Sequence, residues 1–102
     1  MYERISVIRS LLGEEELLCQ LAEECDELGK AALKLRRVLN GKNYTPVTED
    51  QARENLLEEI ADVSLCLAVL GLDAPIYGDM VGNIWDEKLH RWTSRLARDK
   101  SC

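Results

Sequence analysis

Four carboxylates stand at matched spacings, Glu24-x-x-Glu27 and Glu59-x-x-Asp62, inside stretches otherwise rich in apolar residues. Residues three apart on a helix are neighbours on one face, so each spacing can aim two carboxylates at one point. Gathered together, four like charges repel, and only protonation or a cation relieves that repulsion. Hard oxygen ligands of this kind select Mg²⁺ or Mn²⁺. Asp62 is the only charge between Ile60 and Leu70. A carboxylate isolated among apolar neighbours has to be paired, protonated or bound to a cation. No basic residue stands in either segment at a spacing that would neutralise all four acids. Glu24 and Asp62 are therefore expected on buried faces, with Glu23 and Glu58 on solvated ones.

The breakers in the chain define the elements that must carry these groups. Gly13 separates a short first helix, about Tyr2 to Leu12, from a longer one over about Glu14 to Leu39. The second has acids in its first turn and Lys34, Arg36 and Arg37 near its end, as the helix dipole favours, and Asn40-Gly41 stops it. After a loop over Lys42 to Val47, Thr48-Glu-Asp-Gln51 has the form of a capping box and opens a third helix that ends at Gly71. Pro75 suits the first turn of a fourth, which contains Gly78 and Gly82. Nothing alternates with period two over a useful length, so the expected fold is all-α: one domain over residues 1–102, built as a bundle of about four helices. Helix two places Leu17, Leu21, Leu28, Ala32, Leu35 and Leu39 on one stripe at about 100° per residue, with Glu24 close to its edge. Helix three is apolar nearly all round from Ile60 to Leu70, which implies cover on more than one side and a bundle completed by a homodimer or homotetramer.

Composition narrows the function classes. The chain has 102 residues, 46% of them apolar, and a net charge of −6. That is an ordinary globular composition, and the acidic balance argues against nucleic acid as a partner. Cys19, Cys25, Cys66 and Cys102 form no Cys-x-x-Cys pair, and those in helical patterns read as small buried hydrophobes in a reducing, cytoplasmic setting. No apolar run is long enough for a signal peptide or a membrane span, so no membrane partner is expected. Glu87-x-x-His90 is half of a di-iron arrangement, which needs two such motifs, and His90 is the one histidine. Trp85 and Trp92 read as core or interface residues; Tyr44 reads first as a plain loop residue, and is a better candidate than either Trp for stacking on a base.

Gln20-Leu-Ala-Glu-Glu-Cys-Asp-Glu-Leu28 followed by Leu57-Glu-Glu-Ile-Ala-Asp-Val63 resembles the signature of the MazG-like, all-α nucleoside triphosphate pyrophosphohydrolases. Lys88-Leu-His-Arg-Trp-Thr-Ser-Arg95 is similar to the basic helix that small members place near the triphosphate, so the likeness covers nearly the whole chain. The resemblance implies Mg²⁺, or Mn²⁺ in its place, on Glu24, Glu27, Glu59 and Asp62, and phosphate contacts from Lys88 and Arg95. It implies cleavage of a nucleoside triphosphate to a monophosphate and pyrophosphate; that chemistry calls for a carboxylate not fully used as a ligand to orient the water, and Glu23 or Glu27 is the candidate. Two features depart from the pattern: Trp92 stands where the family often has Asn, and 31 residues separate Glu27 from Glu59. The competing reading is a non-catalytic helical module that binds nucleotide or assembles without turnover. The same four carboxylates disfavour it, since apolar residues there would give a more stable bundle.

Overall fold

Each helix starts and stops where the chain supplies the chemistry for it. The computed structural model describes residues 2–41 and 44–101. It is all-α, 86% helical, with four helices: α1 Tyr2–Leu11, α2 Glu14–Asn40, α3 Glu49–Val69 and α4 Pro75–Ser101. The first turn of α2 carries Glu14, Glu15 and Glu16 at the positive end of the dipole. At its other end Gly41 takes φ 63° and donates its N–H to the Arg37 carbonyl at 3.2 Å. That left-handed conformation is cheap only for a residue without a Cβ. The capping box of α3 forms in both halves. The Thr48 hydroxyl accepts from the Gln51 N–H at 3.1 Å, and the Gln51 side chain accepts from the Thr48 N–H at 2.9 Å. Between these ends, Lys42 and Asn43 of the expected loop lie outside the described residues, and Tyr44 is 92% exposed.

α3 closes at Val69, two residues short of Gly71. There Gly71, at φ 77°, donates its N–H to Ala68 O. Arg9 of α1 reaches across to this end, its Nε donating to Val69 O at 2.8 Å and its Nη2 to Ala68 O at 3.4 Å. A cation on the last carbonyls of a helix satisfies orphan acceptors and meets the negative end of the dipole.

The chain divides into two compact units, Met1–Gly71 and Leu72–Cys102. In the first, α2 and α3 pack antiparallel: Glu24 stands beside Glu59 and Asp62, while Ala31 and Lys34, further along α2, share a groove with Asn55, earlier in α3. Among the described residues, Leu17, Ala31 and Leu35 of α2 and Ala52 and Val69 of α3 are the buried apolar ones. The buried stripe of α2 thus passes through Ala31, not Ala32, and Leu39 is exposed. A rotation of about 100° per residue puts Glu24 near the centre of the corrected stripe, between Leu21 and Leu28.

Within the first unit, helix three is not covered on several sides. Leu57 and Ile60 are exposed, and on α2 so are Leu18, Cys25 and Ala32. These sets lie about 60–140° round from each buried stripe in the same rotational sense. Because the helices run antiparallel, that rotation points both sets to one side of the pair, and Glu27 and Asp62 to the other. Among the described residues the cysteines depart from the expected burial, since Cys19 and Cys25 are exposed and Cys66 is half-buried, all three as free thiols; Cys102 lies outside those residues.

In the second unit, Tyr77 and Gly78 donate their N–H groups to Ala74 O and start α4 behind Pro75. Its apolar side chains are exposed; Trp85 and Trp92 stand 61% exposed, not in a core of this unit. Among the described residues, no helix is long and apolar enough to cross a membrane.

Candidate metal centre

The antiparallel register of α2 and α3 brings Glu24, Glu59 and Asp62 together. A carboxylate oxygen from each lies within 4.8 Å of the other two. Two oxygens on opposite sides of an octahedral Mg²⁺ stand about 4.2 Å apart, so small side-chain movements fit this trio to one ion. Glu24 reaches the site from the buried stripe of α2, and Glu59 from that of α3, and both are half-buried. Asp62 is exposed, which corrects the expectation that it lies, like Glu24, on a buried face. Residues 59 and 62 differ by about 60° on the helix, and it is position 59 that the α2–α3 packing covers.

Glu59 records the crowding. Partial burial pushes its carboxyl above the ordinary carboxylate value, and Asp62, Glu24, Glu27 and Glu58 push it further. Burial disfavours the charged form, and so does each neighbouring negative charge.

Glu27 stands beside this trio without joining it. Its Oε1 accepts from Lys30 Nζ at 3.4 Å, an exposed pair one helical turn apart. The lysine thus satisfies the one acid of the four that the cluster leaves out. Glu24 has a partner that sequence reasoning missed: Gln20 Nε2 donates to Glu24 Oε1 at 2.8 Å. The signal for it is the i, i+4 spacing, at which a Gln amide and a carboxylate meet on a helix face. Gln20 leaves one lone pair of that oxygen and the whole of the other oxygen available to a cation. Cys66, one turn beyond Asp62, has its thiol raised by partial burial, and then by Glu24, Asp62 and Cys25.

Glu23 is exposed on α2. Lys88 and Arg95 belong to the second unit, where they share one side of α4 with Arg91, Trp92 and Arg98. No protein-family model, curated protein or solved structure matches the chain.

Proposed function

We propose that the protein is a Mg²⁺-dependent nucleoside triphosphate pyrophosphohydrolase, with Mn²⁺ as a substitute. The observation that supports this most is the convergence of Glu24, Glu59 and Asp62 from two facing helices on one point. Three carboxylates held that close, with no ion pair to a cation among the described residues, are an arrangement that stores repulsion. The resemblance of the surrounding residues to MazG-like enzymes supplies the reaction class.

In this reading Glu24, Glu59 and Asp62 hold the ion, and Gln20 keeps Glu24 turned toward it. A bound Mg²⁺ supplies charge neutralisation on the phosphate oxygens and fixes their orientation. Glu27, next to the trio but outside it, orients a water and takes its proton; Glu23 is the other candidate for that role. The water oxygen bonds to the α phosphorus as the α–β anhydride bond breaks. The electron pair leaves with pyrophosphate, and a nucleoside monophosphate remains. Lys88 and Arg95 of α4 serve as further phosphate contacts. The active form is a homodimer or larger homo-oligomer working in the cytoplasm, because the exposed side of the α2–α3 pair calls for an apolar partner.

A panel of ribo- and deoxynucleoside triphosphates incubated with Mg²⁺ or Mn²⁺ and resolved by chromatography tests the assignment. Monophosphate and pyrophosphate are the expected products, lost in Glu59→Gln. Orthophosphate and diphosphate, or full activity in Glu59→Gln, would overturn it. Nucleotide binding without turnover would select the non-catalytic module.

A further inference from the structure

We propose that Lys34, with Arg37 and Asn55, forms the cationic end of a groove that seats the outer phosphates of a metal-chelated polyphosphate. This inference rests on the pyrophosphohydrolase reading and adds a phosphate-binding role on α2, beside the carboxylates. An open groove of about 390 Å³ runs between α2 and α3, with Glu27 and Glu59 at its acidic end and Lys34 and Arg37 among its other walls. Buried Ala31 forms part of its floor, where a larger side chain would fill it.

The cations of this groove are not alike. Lys30 is already tied to Glu27. Lys34 is half-buried and, like Arg37 and Asn55, has no side-chain hydrogen bond or ion pair among the described residues. An ammonium that has given up part of its hydration without gaining a protein acceptor is poised for an external anion. Half-buried Asn55 adds a neutral amide donor from the opposite helix.

The distances suit a chain of phosphates. Lys34 follows Glu27 by two helical turns, about 10 Å along the axis. The four-carbon lysine stem and a pyrophosphate or triphosphate tail together cover that span. The acidic end alone would repel such a ligand. With a cation bound there, the metal-held phosphate oxygens face the acids and the outer ones face Lys34, which gives the groove a direction. The leaving pyrophosphate half of a nucleoside triphosphate is the part that fits the cationic end.

Calorimetry of the full chain with Mg²⁺-pyrophosphate, and separately with Mn²⁺ alone, tests this. Lys34→Ala and Lys34→Gln are expected to weaken Mg²⁺-pyrophosphate by about tenfold or more, with Mn²⁺ affinity unchanged and Lys34→Arg restoring most of the loss. Lys34→Gln keeps the stem, so a loss shared by both variants reports charge and not folding. Parent-like pyrophosphate affinity in both variants, with turnover of nucleoside triphosphates by the parent intact, would overturn the inference and leave the enzyme reading standing. Lys34-dependent pyrophosphate binding in a parent that hydrolyses nothing would support the groove and overturn the enzyme reading. A parent that binds neither Mn²⁺ nor Mg²⁺-pyrophosphate would overturn both.

Discussion

Glu59 is the residue on which the electrostatics of the site converge. Its carboxyl is raised by partial burial and then by Asp62, Glu24, Glu27 and Glu58. The folded chain therefore keeps a proton on Glu59 at a pH where the unfolded chain has lost it. The native state binds more protons, so stability without metal falls as pH rises from the ordinary carboxylate value through the raised one. The metal-free melting temperature is expected to decline across that interval, and Glu59→Gln to flatten the decline. Millimolar Mn²⁺ should raise the melting temperature of the parent at neutral pH, because it binds only the folded state, and leave Glu59→Gln and Asp62→Asn unmoved. A parent indifferent to Mn²⁺ would show that the trio is not a metal site. In turnover, loss of Glu59 as a ligand should cost about 100-fold or more. The neighbouring thiol gives a separate check. Cys66 is raised and half-buried, whereas Cys19 and Cys25 are exposed. Thiolate is the reactive form, so alkylation followed by peptide mass mapping should label Cys66 more slowly than the other two.

At the scale of the elements, the helix ends carry separable amounts of stability. Thr48→Ala removes the hydroxyl that accepts from Gln51 and should cost about 1 kcal/mol. In a unit of this size that is about 4–8 °C in melting temperature. Gly41→Ala forces a Cβ into the left-handed region at φ 63° and should cost about 1 kcal/mol as well. Arg9→Met leaves the carbonyls of Val69 and Ala68 without their donor from α1. Thermal unfolding should show a loss of about 1 kcal/mol that Arg9→Lys only partly recovers, since Lys lacks the second fixed donor. The two caps were legible in the sequence, since Thr48-x-x-Gln51 and Asn40-Gly41 act within one turn. The Arg9 contact spans 60 positions, and no local pattern announces it.

Across the whole molecule, the exposed apolar side of the α2–α3 pair has the largest consequence. Leu18, Leu57 and Ile60 are exposed, and among the described residues only five apolar ones are buried. Apolar side chains left on one side of a helix pair suit the cover of a second copy, the assembly proposed above. Sedimentation of the full chain is expected to give a dimer or larger assembly at micromolar concentration. Leu18→Glu with Ile60→Glu should dissociate it while helical circular dichroism persists. A monomeric parent would remove the need for a partner subunit.

By itself the sequence determined the fold class, the four helices and nearly all of their ends. Those follow from breakers, caps and periodicity that act over a few residues. It also singled out Glu24, Glu59 and Asp62, because a three-residue spacing within an apolar pattern is legible along one helix. Only the tertiary structure decided which of them is covered. The α2–α3 register buries the face of Glu59 and leaves Asp62 in solvent, the reverse of what the uncharged run around Asp62 implies. Periodicity gives a helix its stripes, but the partner helix chooses which stripe is buried. The same choice moved the buried line of α2 from Ala32 to Ala31 and separated Glu27, held by Lys30, from the trio. It also joined Lys34 to Asn55 in one groove, because antiparallel packing brings together residues that the chain sets far apart.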